Sequence, residues 1–259
     1  MIDTHAHLDL PDFDDDRDEV IARCREAGVE WIVGVAIDRA SAEATVCLAR
    51  REPLLCAAVG IHPNSSAEAA PNDWPRVVEL AEDPVVVAIG ETGIDRFRDH
   101  SPIDVQRDYF TRHLELARRR DLPVIIHCRE AEADVLDALR SASNDGPLRG
   151  VLHAFSGDEA FARSCLELGL HISFAGMVSY TNRKFRPLRE VARTIPDDRL
   201  LIETDSPFLV PHPLRGKQRR NEPHWVRHTA EALAELRQVS VERLIAQTSE
   251  NARRLFGSS

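Results

Sequence analysis

Aromatic residues are scarce, at 5% of a 259-residue chain, and basic charge is not in excess: 33 Lys and Arg stand against 43 Asp and Glu, a net charge of −10. The molecule as a whole repels polyanions, so a nucleic acid partner has to be held by local cations or by metal ions. Long apolar runs are missing too. No segment approaches the ~20 apolar residues that span a bilayer, and Met1-Ile2-Asp3-Thr4-His5 has no basic region leading into an apolar one. A cytoplasmic protein with no membrane partner is expected. The five cysteines (Cys24, Cys47, Cys56, Cys128 and Cys165) form no C-x-x-C pair, which excludes a zinc ribbon and suits reduced thiols buried as small hydrophobes. With no linker, low-complexity segment or internal duplication, the chain reads as one domain over 1–259, and no obligate protein partner is evident.

What is present is a globular composition, 43% apolar and 29% charged, with a regular alternation. Short runs rich in Val and Ile predict strands near 2–7, 30–36, 55–60, 85–90, 123–128, 149–153, 170–174 and 199–203. Helical periodicity predicts helices near 16–27, 39–51, 73–82, 102–120, 131–141, 158–168, 185–194 and 223–236, with a tail helix near 249–256. Val85-Val86-Val87-Ala88-Ile89 and Val124-Ile125-Ile126 are apolar on both faces, as in a buried parallel sheet. An open doubly wound sheet shares this alternation, but eight repeats in this length favour a closed α/β barrel, the (β/α)8 TIM type.

In such a barrel the chemistry sits at the C-terminal ends of the strands. Those ends amount to about a tenth of the chain, so about one of 11 randomly placed histidines would fall there. Five do: His5, His7, His62, His127 and His153. His5 and His7 are two apart, so strand alternation places both imidazoles on one face, with Thr4 and Ala6 on the other. Glu91, His127, His153 and Asp205 each follow a different strand, and each alone would read as a solvated strand-end group. Together with His5 and His7 they bring six potential metal ligands to one mouth, a concentration that no packing role requires. Glu203, two before Asp205, points the same way if the strand continues and can orient a ligand or water. His62 has no ligand partner on its own strand and reads as a proton shuttle or substrate contact.

The segments Asp3-Thr4-His5-Ala6-His7, Gly60-Ile61-His62-Pro63, Gly90-Glu91-Thr92-Gly93-Ile94-Asp95, His127-Cys128-Arg129, His153-Ala154-Phe155-Ser156-Gly157, Glu203-Thr204-Asp205-Ser206-Pro207 and Asn221-Glu222-Pro223 together resemble the TatD family of metal-dependent deoxyribonucleases, in the amidohydrolase-like superfamily. The resemblance implies a TIM-type barrel and divalent ions at His5, His7, Glu91, His127, His153 and Asp205. It also implies hydrolysis of DNA, single-stranded or at 3′ ends. The chain departs from the family in two places. Arg96 stands where an aromatic often follows Asp95, with Phe97 next, and the segment Arg215–Arg220 is longer and more basic.

Two ions, of zinc, magnesium or manganese, would activate water for attack on phosphorus. Glu91 is the expected bridging carboxylate, and Asp205 a ligand that also accepts the water's proton. His62, Arg129, Arg219, Arg220 and Asn221 are the expected substrate contacts, with Glu203 supporting the catalytic set. The alternative reading keeps the metal site and changes the substrate to a small ester, lactone, amide or aminoacyl-tRNA. A barrel that only binds nucleic acid or protein is disfavoured, because no ligand is missing.

Overall fold

A computed structural model describes residues 1–257. Its strands are β1 (Ile2–Ala6), β2 (Trp31–Val35), β3 (Leu55–Val59), β4 (Val86–Asp95), β5 (Val124–Arg129), β6 (Gly150–Leu152), β7 (His171–Phe174) and β8 (Leu200–Ile202). They form one parallel sheet in sequence order. The helices between and after them are α1 (Arg17–Glu26), α2 (Arg39–Arg51), α3 (Asp73–Leu80), α4 (Ile103–Arg120), α5 (Glu132–Ser143), α6 (Glu159–Glu167), α7 (Arg186–Thr194), α8 (Val226–Arg237) and α9 (Val241–Phe256). Just past the end of β8 the ring meets β1: the Asp205 N–H donates to the His5 carbonyl at 2.9 Å and the His7 N–H to the Ser206 carbonyl at 2.8 Å. The expected (β/α)8 barrel is the architecture found. No helix among the described residues is long and apolar enough to cross a membrane.

Two apolar clusters hold the barrel. The larger lies between sheet and helices, and the smaller fills the lumen with Ile2, Val33, Ala58, Ile125, Val151 and Leu201, drawn from strands around the ring. α9 closes the floor. Its Ala252, Leu255 and Phe256 pack into the lumen cluster, with the Phe256 ring edge-on to Trp31 at 6.3 Å. This helix starts eight residues before the expected tail helix, because the Ser240 side chain caps it by accepting from the Arg243 N–H and Leu244 joins the buried face.

Bulges decide which side chains reach the mouth. In β1, Ile2 faces the lumen, so plain alternation would put Thr4 and Ala6 inside and His5 outside. The pairing to β2 instead advances three residues on β1 (Asp3 to Ala6) against two on its partner, and this extra residue turns His5 inward. Thr4 also stays inside, donating to the Ile202 carbonyl at 2.9 Å and lying 3.4 Å from Ser173 Oγ, so the expectation that it faces outward fails. β4 repeats the device: Ile89 to Thr92 spans three residues against two on β5. β4 also runs five residues beyond its expected end, so Glu91 sits within the strand. Gly93 permits the close approach, since a Cβ there would lie 2.0 Å from the His127 carbonyl oxygen.

Candidate metal centre

The Glu91 carboxylate stands at the middle of the mouth. Its Oε2 lies 3.4 Å from His5 Nε2 and 3.8 Å from His7 Nε2, while Oε1 lies 2.7 Å from His153 Nε2, 2.8 Å from His127 Nδ1 and 3.4 Å from His62 Nε2. Asp205 Oδ1 completes the near side at 3.4 Å from His7 Nε2 and 3.7 Å from His5 Nε2. His5, Glu91 and His7 are almost fully buried.

Four of the five rings have a polar partner behind them. His7 Nδ1–H donates to the Val35 carbonyl at 2.7 Å, which turns Nε2 toward His5 Nε2, 3.1 Å away. His127 Nε2 faces Asp95 Oδ2 at 3.1 Å and presents Nδ1 to Glu91. His153 Nδ1 lies 3.4 Å from Glu203 Oε1, an oxygen that also accepts the Ala154 N–H at 2.6 Å. His62 is reversed: its Nδ1 accepts the Asn64 N–H at 3.0 Å.

Burial disfavours charge on every one of these groups, and the neighbours decide the outcome. Glu91 is held well below the ordinary carboxylate range because the imidazoles of His153 and His62 outweigh its burial. Asp205 is lowered for the same reason, chiefly by His7. Hydrogen bonding to Asp205 overrides burial at His7 and raises it to about 9, while Glu91 and Glu203 raise His153 well above its usual value. At His5 and His62 burial prevails, and the value falls.

The donor chemistry fits divalent ions. His5, His7 and Glu91, then His5, His153 and Asp205, then His62, Glu91 and His127 form three overlapping sets whose ligand atoms lie within 4.8 Å of one another. Two imidazole nitrogens face each other at 3.1 Å beside two ionised carboxylates, and His5 Nδ1 is buried without a hydrogen-bond partner. A cation between these groups would take the place of the proton that His7 holds beside Asp205. His62 fits less well as a ligand. A ring that accepts at Nδ1 carries its proton on Nε2, the nitrogen facing Glu91.

The mouth opens into a cavity of about 570 Å³ whose wall includes His62, Arg98, Arg129, Met177, Phe208 and Leu209. Of the expected substrate contacts, His62 and Arg129 line it. The other three do not. Arg220 pairs with Asp16 at 2.6 and 2.8 Å and with Glu222 at 2.8 Å, over the Phe13 ring, so its charge is consumed in joining the last βα loop to the start of α1. Asn221 is fully buried and donates to the Thr204 carbonyl at 2.9 Å, a structural tie beneath the β8 end. Arg219 is exposed but outside the lining. Glu203 supports His153, though not by strand alternation: β8 ends at Ile202, and Asp205 takes a left-handed φ of 54°.

Sequence reasoning missed Asp95, Asn64 and Arg98. Asp95 closes the motif that begins at Gly90 and is the last residue of β4, five positions beyond the expected strand end. It accepts from His127 and Asn64 through Oδ2 and from the Phe97 and Arg98 N–H groups through Oδ1.

A (β/α)8 barrel with this imidazole and carboxylate set at its mouth defines a metal-dependent hydrolase. Residues 2–257 match the family described as TatD related DNase, and the chain belongs to that family. It is 41% identical to the uncharacterized metal-dependent hydrolase YabD of Bacillus subtilis, over 99% of this chain and 98% of that protein. It is 38% identical to the 3′-5′ ssDNA/RNA exonuclease TatD of Erwinia amylovora, over 99% and 100%. Among solved structures, the TatD homologue YJJV of Escherichia coli K12 superposes with a TM-score of 0.92 at 29% identity, covering 100% of this chain and 98% of that one. An organophosphorus hydrolase from Deinococcus radiodurans, at 16% identity and a TM-score of 0.67 over 99% and 92%, shares the fold.

Proposed function

We propose that the protein is a divalent-metal-dependent deoxyribonuclease that hydrolyses phosphodiester bonds of single-stranded DNA from the 3′ end. The observation that carries this reading is the position of Glu91: one oxygen faces His5 and His7 while the other faces His127 and His153, so the carboxylate would serve as a ligand beside both groups of imidazoles. His5, His7, His127, His153 and Asp205 would complete the ligand set. Two such ions supply acidification of water and neutralisation of charge on the phosphoryl oxygens.

The protein's own residues do the rest. Asp205 takes the proton of the attacking water on Oδ1 as the water oxygen bonds to phosphorus and the bond from phosphorus to the 3′ oxygen breaks. His62 hydrogen-bonds through Nε2–H to the departing oxygen and steadies its charge, while water supplies the proton that oxygen takes. Asp95 and Glu203 hold the His127 and His153 rings at fixed angles. Arg98 and Arg129 make no ion pair among the described residues and offset the −10 net charge where phosphate enters.

The substrate class draws support from the exonuclease name carried by the Erwinia relative. The test strips the protein with chelator and restores zinc, magnesium or manganese singly. Each form is then offered single-stranded DNA labelled at either end, an aminoacyl-tRNA and a lactone. Shortening of the strand from its 3′ end by a metal-restored form is expected. Turnover of the ester or lactone with intact DNA overturns the assignment.

A further inference from the structure

Among the described residues only two large apolar side chains are exposed, Phe97 at 54% and Phe208 at 53%, and both stand at the mouth. Phe208 lines the cavity directly after β8, its ring edge-on to His7 at 6.0 Å between centroids. Phe97 follows β4 and lies beneath the Arg129 guanidinium, whose central carbon is 3.7 Å from the ring centroid. In an eight-strand ring taken in sequence order, β8 and the β4–β5 pair are on opposite sides. The two aromatics therefore flank the buried donors.

Their chemistry differs. Phe208 offers a bare ring face, which suits a flat apolar partner. Phe97 is a support: its ring carries the Arg129 guanidinium, and Arg129 has no carboxylate partner among the described residues to consume its N–H groups. The platform is rigid, because Asp95 Oδ1 accepts the Phe97 and Arg98 N–H groups at 2.9 Å and Arg96 is anchored on Asp134 at 2.5 and 3.0 Å. The cavity, at about 570 Å³, has the size of a small-ligand cleft rather than a duplex groove.

We propose that Phe208 and the Phe97–Arg129 stack form a two-point clamp for an unpaired strand, Phe208 stacking on the nucleobase at one side of the scissile phosphate and Arg129 gripping the next backbone phosphate at the other. The clamp rests on the nuclease reading and deepens it. It makes the site selective for bases that are free to unstack, because a paired base has no exposed face to offer Phe208.

The test pairs protein variants with altered strands. In the metal-restored protein, Phe208→Ala and Phe208→Leu should each lower kcat/KM on a single-stranded oligonucleotide by at least about 5-fold, mostly through KM, and Phe208→Tyr should restore it. One abasic nucleotide is then moved stepwise along the strand from the scissile position. At one step its penalty and that of Phe208→Leu should fail to add. A neutral methylphosphonate, moved in the same way, should likewise show one step that fails to add with Arg129→Gln and with Phe97→Leu. Additive penalties at every position, for both pairs, overturn the clamp and leave the nuclease reading standing. Turnover of a lactone or aminoacyl-tRNA with no strand cut overturns both.

Discussion

The Asn64 N–H donates to His62 Nδ1 at 3.0 Å, so the neutral ring carries its proton on Nε2, 3.4 Å from Glu91 Oε1. Burial lowers the pKa of His62 and keeps it neutral. A ring in this tautomer donates; it has no lone pair to give an ion. His62→Ala should therefore retain the bound metal of the wild type while kcat falls by about 10²–10³-fold, the range for loss of one hydrogen-bond donor to a developing oxyanion. Metal content per chain, measured by elemental analysis beside His153→Ala, checks this. Equal metal loss in the two variants would make His62 a ligand.

Glu203 acts through another residue. One oxygen accepts from the Ala154 N–H and faces His153 Nδ1, while the other is buried without a partner. Glu203→Gln keeps the shape and the backbone contact but removes the charge that raises His153. Metal affinity should fall by about 10–100-fold with the fold intact. Competition against a chromophoric chelator gives the number, and an unchanged affinity would reduce Glu203 to a packing residue.

Asp205 is assigned both ligand and base. Its left-handed φ of 54° is one an Asn side chain also adopts, so Asp205→Asn should fold normally. Its turnover in the metal-loaded state should drop by at least about 100-fold. Full turnover would remove both roles.

The barrel was legible because eight apolar runs alternate with helical periods, and the donors because imidazoles are too concentrated at strand ends. His127 and His153 follow by alternation from the lumen residues Ile125 and Val151. His5 and Glu91 do not. Each reaches the mouth through a bulge, and a one-residue insertion in a ladder leaves no periodic trace in a single strand. The basic run at 215–220 misled for a related reason. Charge can be counted from sequence, but its pairing cannot: Arg220 meets Asp16, 204 positions away, whereas the free cations Arg98 and Arg129 stand singly.

That difference is measurable as salt dependence. Arg98→Gln with Arg129→Gln should flatten the slope of strand affinity against salt by about 0.7 for each phosphate that the variant leaves without its arginine. Arg220→Gln should leave the slope alone and cost about 1 kcal/mol of stability, since its network is partly solvated. Binding titrations at several salt concentrations, with urea unfolding of the same proteins, separate the two. A flattened slope in Arg220→Gln would return that arginine to the substrate path.

His113, on α4, ties the helix layer to the loop that carries His62. Its Nε2 accepts the Ile61 N–H at 2.9 Å and its Nδ1–H donates to the Tyr109 carbonyl at 2.6 Å, so the buried ring is neutral. Burial lowers its pKa from 6.5 to about 4. The folded state thus binds this proton more weakly than the unfolded chain does. The resulting stability is complete above about pH 6.5 and is lost as pH falls towards 4, at up to about 1.4 kcal/mol per pH unit. Protonation of Nε2 also removes the acceptor for Ile61, next to His62, so activity should decline over the same window. In His113→Gln the side chain does not titrate. The stability gap between wild type and variant, from denaturant unfolding at pH 7, 5.5 and 4.5, should narrow as the pH drops. A constant gap would mean that the ring binds its proton equally well in the folded and unfolded chain, so that neither burial nor the Ile61 contact sets its state.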